Sequence, residues 1–196
     1  MSRRVVCIVE GHGEVESIPL LLRRLHGESS TLVFPEIRQN DVIRIPRSRL
    51  LRDGELERTV ELAARRAGPQ GCVLIVLDAD DDLPCELVPR LLVRARTGRP
   101  ELALGLVLAR REYEAWFLAA ARSLRGHVGL PAELEPPPEP EAIRDAKGWP
   151  RTRMSGARYR PLVHQSKLTA AMDLSEARTA PSFDKLVREV SRLLAR

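Results

Sequence analysis

Short apolar runs alternate with amphipathic stretches through the first 123 residues of the chain. Val5-Val6-Cys7-Ile8-Val9 is unbroken and rich in β-branched residues, the pattern of a strand covered on both faces. Gly11 and Gly13 interrupt it, and Val15, Ile18, Leu22 and Leu25 then recur at helical spacing. Val42-Ile43-Arg44-Ile45, ended by Pro46, is a second strand candidate, and Glu55 to Arg66 is a helix closed by Gly68-Pro69. Cys72 to Leu77 is the clearest buried strand. Pro84 opens a helix with Leu87, Leu91 and Leu92 inward, Leu102 to Leu108 forms a fourth strand, and Tyr113 to Ser123 a fourth helix. Strands alternating with helices of about 10–15 residues predict an α/β fold, with a mainly parallel sheet of about four strands and helices on both faces.

After residue 123 the pattern changes. Residues 131–141 hold five prolines in eleven positions, which predicts a stiff, solvated connector over 124–141. Beyond it, 142–196 is expected to be a helical extension packed on the 1–123 domain. Ser182 is the predicted N-cap of its last helix, whose Phe183, Leu186, Val187, Val190, Leu193 and Leu194 share one face.

Composition narrows the class. The chain has 196 residues, 43% hydrophobic and 30% charged, too apolar for disorder and long enough to fold without staples. Its three cysteines, Cys7, Cys72 and Cys85, are widely spaced, which argues against a disulfide framework or zinc site and for a reducing cytoplasm. The apolar run after Ser2-Arg3-Arg4 is short for a signal peptide, and no stretch approaches a membrane span. The net charge of +5 hides a division: Arg144 to Arg196 carries 12 basic and 5 acidic residues, against 20 and 22 before it. Arg151, Arg153, Arg158 and Lys167 in that basic tail are candidate phosphate contacts. Only three basic residues are lysine, so coding composition accounts for part of the arginine excess.

Two acidic clusters fall at predicted strand ends, where parallel sheets bind ligands. The first is Glu10-Gly11-His12-Gly13-Glu14 and the second Asp78-Ala79-Asp80-Asp81-Asp82. If the strand continues past Leu77, period-two alternation aims Asp78 and Asp80 to one side; if the two strands are neighbours, Glu10 joins them. Neither cluster contains a lysine or arginine, so the carboxylates must raise a pKa or share a cation. Oxygen ligands of this kind suit Mg²⁺ or Mn²⁺. Asp81 and Asp82 are better explained as capping or loop acids, and His12 as a loop histidine. Glu14 is either a general base or an acid favouring the helix N-terminus. Gly11-x-Gly13 lacks the third glycine of a dinucleotide motif. Glu114, just after the fourth strand, is either a further metal ligand or a first-turn acid beside core anchors Trp116 and Phe117. Tyr159, Arg160, His164 and Lys167 form a polar group that fits a phosphate, or more simply a solvated helix face.

The E-G-H-G-E turn followed a sheet repeat later by D-A-D resembles the toprim domain of topoisomerases, bacterial primases and OLD-type nucleases. The segments V-E-G-H-G-E-V-E, R-E-Y-E-A-W-F-L-A and A-P-S-F-D-K-L also resemble a family of small bacterial toprim-like proteins that often accompany an AAA/ABC-type ATPase in phage-defence neighbourhoods. The resemblance implies a Rossmann-like toprim fold, with Glu10 as the toprim glutamate and Asp78 and Asp80 as its D-x-D pair. It implies metal-dependent phosphodiester chemistry on nucleic acid, DNA ahead of RNA, with Glu114 available for a second ion. Glu10 or Glu14 would serve as base.

Other readings compete with a Mg²⁺-dependent nuclease or nickase. A binding or regulatory subunit could keep the fold and act through an ATPase. A D-x-D phosphatase would need the motif after strand one, and a D-x-D glycosyltransferase leaves Glu10 unexplained.

Overall fold

The computed structural model of the chain describes residues 2–156 and 158–195. Five strands, β1 (Ser2–Val9), β2 (Phe34–Glu36), β3 (Val42–Arg44), β4 (Cys72–Asp78) and β5 (Leu104–Ala109), form one sheet in which every pair is parallel. The order is β2-β1-β4-β5, with β3 pairing β1 beyond the end of β2. Four of the strands match the predicted apolar runs; β2 is additional. Its three residues, Phe-Pro-Glu, carry no alternation and a proline, and they pair only with the start of β1.

Helices cover both faces. They are α1 (Glu14–Gly27), α2 (Arg47–Leu50), α3 (Glu55–Ala67), α4 (Pro84–Arg96), α5 (Ala115–Ala119), α6 (Gly148–Arg153), α7 (Pro161–Ala171), α8 (Leu174–Ala177) and α9 (Pro181–Leu194). Strand parity sorts the core. Val6, Ile8, Val73, Ile75, Leu77, Leu106 and Leu108 face α3 and α4. Val5, Cys7, Val9, Leu74, Val76 and Val107 face the other way, into one continuous core shared with α1, α5 and the C-terminal helices. Residues 142–195 therefore complete the second layer of this sheet rather than adding a core of their own. The fold is α/β and Rossmann-like, with C-terminal helices closing one face.

Three local expectations need correction. The predicted Tyr113–Ser123 helix is the short α5 followed by a 3₁₀ turn at Ala121–Leu124, with Trp116 and Phe117 wholly buried. Ser182 is not the cap of α9: Ala180 is, with Pro181 in the first turn. The Ser182 hydroxyl instead accepts from Trp116 Nε1 (2.9 Å) and Arg110 N (3.1 Å), tying α9 to α5 and the end of β5. The proline-rich segment is exposed along most of its length, but Leu134 is buried and Pro140–Ala142 forms a 3₁₀ turn. Glu141 of that turn accepts from Ser182 N (2.8 Å), so the connector is fastened rather than free.

Candidate functional site

The chain leaves β1 through α1 toward β2 on one face, and leaves β4 through α4 toward β5 on the other. The strand order thus reverses between β1 and β4, and the crevice beyond their carboxyl ends is the switch point at which open α/β sheets bind ligands. Val9 pairs with Val76 there, so Glu10 and Asp78 leave the same edge of adjacent strands. A cavity of about 560 Å³ opens at this place, lined by Glu10, Glu14, Arg44, Asp78, Lys147 and Gln165 among others.

The β1–α1 turn is built by its own residues. Glu14 folds back so that Oε2 accepts from Glu10 N (3.0 Å) and Gly11 N (2.8 Å). This satisfies two amide donors of the turn itself. The carboxylate is nearly buried, and desolvation with the nearby Asp78 pushes its pKa up to about 7. Gly13 is required by close approach: a Cβ there would lie 1.7 Å from Gln165 Oε1 and 3.0 Å from Pro161 O of α7. His12 is exposed.

Glu10 is half-buried, and its Oε2 has no hydrogen-bond partner. Burial raises its pKa, followed by the charges of Asp78 and Asp80; Arg47 pulls the other way. Asp78 is almost wholly buried. Its Oδ1 accepts from Tyr113 N (2.8 Å) and its Oδ2 from Lys147 Nζ (2.9 Å). Burial still holds its pKa above the usual range.

Lys147 is the residue that pattern reading passed over. It stands just before α6, far along the chain, and no local motif marks it. Its ammonium also lies 3.1 Å from Glu112 Oε1 and 3.9 Å from Glu114 Oε2, while its backbone N–H donates to Glu112 Oε2 (2.9 Å). Burial alone would lower the Lys147 pKa, but Asp78 and Glu114 drive it up. One cation thus serves carboxylates from the ends of β4 and β5.

Glu114 is completely buried. Oε1 accepts from Tyr159 OH (2.9 Å), and Oε2 has no partner within hydrogen-bond reach. Desolvation pushes its pKa up to about 8 despite Lys147. Tyr159 and His164 stack on each other (5.8 Å between centroids) and are both buried, so neither belongs to a solvated face. The His164 Nδ1 accepts from Arg160 N (2.8 Å), which spends one ring nitrogen on the start of α7. Arg160 and Lys167 remain exposed.

Asp80 does not continue the strand. The extended run ends at Asp78, and Asp80 takes φ +50°, turning its side chain outward to 58% exposure. There it meets Arg47 Nη1 at 3.3 Å, and Arg47 also pairs with Asp82. Asp81 pairs with Arg111 and Arg144. The structure thus brings Glu10, Glu14 and Asp78 to one crevice, buries Glu114 within 3.9 Å of the Lys147 ammonium that lines it, and leaves Asp80 on the rim. Among the described residues, no three His, Cys, Asp or Glu side chains already stand as a preformed metal cage. The donors are all hard carboxylate oxygens, two of them buried and unpartnered on Glu10 and Glu114, while the Lys147 ammonium occupies Asp78.

The basic tail is partly spent on itself. Arg178, Lys185, Arg188 and Arg192 pair with Asp184 and Glu189 along α8–α9, and Arg151 pairs with Asp145. Arg153 lies over the Trp149 ring at 4.8 Å. Arg151, Arg153, Arg158 and Lys167 are all exposed. No helix among the described residues is long and apolar enough to cross a membrane. No match is found among curated proteins or among solved structures. A family model described as a domain of unknown function, DUF4276, matches residues 9–191, from the last residue of β1 into the last turns of α9, and the chain belongs to that family.

Proposed function

We propose that the β1–β4 crevice is a Mg²⁺ or Mn²⁺ site for phosphodiester chemistry on nucleic acid, in the manner of a toprim nuclease or nickase. The observation that carries this reading is the crowding of carboxylates from three strand ends into one desolvated switch-point crevice, where Glu10 and Glu114 keep unpartnered oxygens. Such a set needs protons or a cation, and Lys147 supplies one that a divalent ion would replace. Glu10, Asp78 and Glu114 would hold the ion, and Asp80 would join them only by turning in from Arg47. When bound, it would polarise a phosphoryl oxygen and lower the pKa of an attacking water. Glu14 fixes the Glu10 backbone. Arg44 and Lys147 line the same cavity and would meet phosphate oxygens, while Arg151, Arg153, Arg158 and Lys167 would hold the nucleic-acid backbone, DNA ahead of RNA. The toprim likeness also supports a cytoplasmic role in phage defence beside an AAA/ABC-type ATPase.

A second reading, a non-catalytic subunit of such an ATPase, draws on one observation: Lys147 sits on Asp78 where a metal would need it free. A plasmid-nicking assay with Mg²⁺ or Mn²⁺, run with and without an AAA/ABC-type ATPase of the proposed kind, separates the two. Cleavage lost in both Glu10→Gln and Asp78→Asn, with substrate binding retained, supports the enzyme. Reversing Arg151 and Arg153 should weaken binding and flatten its salt dependence. Cleavage unchanged in both carboxylate variants would remove the metal mechanism.

A further inference from the structure

The opposite flank of the sheet presents an unfinished edge. β5 is the last strand, and its outer side lies in a groove of about 450 Å³ between α4 and α9. Val73 N donates to Ala103 O and Ala79 N to Ala109 O, each at 2.9 Å, so the odd residues of β5 aim their backbone groups at β4. The even residues therefore aim outward. At the two ends these outward groups are occupied: Arg192 Nη2 donates to Leu104 O (2.7 Å), and Arg110 N donates to Ser182 Oγ (3.1 Å). Between them, no described residue bonds the N–H or C=O of Leu106 or Leu108 on that side. Both residues are 2–3% exposed, so four backbone groups are recessed without a protein partner. Buried backbone groups in that condition are rare in folded chains.

We infer that the β5 edge is a docking slot for an extended segment of another polypeptide, which adds as a sixth strand. The recess argues against a second copy of this chain, because its β5 edge would be equally sunk beneath its own α4 and α9. The slot walls set the sequence of the guest. Pro84, Val88 and Pro89 of α4 give an apolar wall; on the other side Lys185 and Arg188 of α9, each also paired with an acid of its own helix (Glu189 and Asp184), outnumber Glu141, the one acid among the lining residues. Arg110 stands exposed at one mouth, with no carboxylate partner among the described residues. A strand places successive side chains on opposite faces, so the fitting segment alternates apolar and acidic residues over four to six positions.

The test uses an acetylated, amidated hexapeptide alternating valine and glutamate, a valine–lysine counterpart, and the glutamate peptide N-methylated on the amides facing β5. Amide hydrogen exchange of the full chain should show Leu106 and Leu108 exchanging faster than Gly105 and Val107, and slowing when the glutamate peptide is added. The glutamate peptide should bind at least about tenfold more tightly than the lysine peptide, and the double reversal Lys185→Glu, Arg188→Glu should invert that preference. N-methylation should abolish binding. Equal affinity for the two peptides, binding that survives N-methylation, or protection of Leu106 and Leu108 that grows with protein concentration alone would overturn the assignment. The last outcome would mean self-pairing instead.

Discussion

Asp41 is fully buried in the turn before β3, yet it is charged. Burial works to raise its pKa, but the Arg4 guanidinium and the Arg38 N–H outweigh it and hold the group below its usual range. Its oxygens accept from Arg4 Nη2 (2.8 Å), Arg4 Nε (3.0 Å) and Arg38 N (3.0 Å), fastening β1 to the turn. Because the folded pKa lies below the unfolded one, this contribution is present above about pH 4 and fades as pH falls through the folded value. Asp41→Asn should therefore cost about 1.5–3 kcal/mol at pH 7, with the difference from the parent shrinking below pH 4 in urea melts. Lys147 carries the opposite lesson. In the sequence it is one more charge in a basic tail, because nothing local links it to Asp78, 69 residues earlier. Lys147→Met should destabilise the metal-free protein by about 1–3 kcal/mol, since it leaves three acids facing one another. Mg²⁺ should then raise the melting temperature of the variant more than that of the parent, through mass action on the native state. Equal shifts would show that Lys147 and the ion do not compete.

At the scale of elements, the tightest constraint is where the β1–α1 turn meets α7. Gly13→Ala drives a methyl into the buried Gln165 amide and toward Pro161 O. It should cost about 1–3 kcal/mol by overpacking, and Gln165→Ala in the same chain should recover part of that loss but not all, because the Pro161 contact remains. Circular dichroism melts of the single and double variants check this. β1 and β4 were legible as unbroken apolar runs, and α1 by the helical spacing of its apolar residues. β2 was not, since three residues with a proline carry no period, and its place comes from pairing with distant β1. Ser182 misled for a related reason. It has the chemistry of a cap, but the helix begins one residue earlier at Pro181, and the hydroxyl is claimed by Trp116 from another element. Asp80 misled through backbone geometry: alternation holds only while the chain stays extended, and a left-handed residue ends it.

Over the whole molecule, one sheet generates both the acidic crevice and the open β5 flank. Its carboxyl edge gathers acids because adjacent parallel strands end together, and its β5 flank stays open because nothing follows that strand in the sheet. Convergence of Glu10 and Asp78 could be anticipated from two strand-end clusters; Lys147, Arg47 and Tyr159, which complete the electrostatics, come from loops and from the start of the four-residue α2, whose approach no periodicity encodes. The basic tail was visible as a count, yet ion pairs along α9 leave fewer of its charges free than the count implies. The claim that most needs a direct trial is that the crevice exchanges a lysine for a divalent ion. A crystal of the full chain soaked in Mn²⁺, with the ion located by its anomalous signal, tests it. The account predicts a single strong peak between the β1 and β4 ends, about 2.0–2.3 Å from carboxylate oxygens of Glu10 and Asp78, with the Lys147 ammonium moved off Asp78. A crevice without a peak, and Lys147 still 2.9 Å from Asp78 Oδ2, would contradict it.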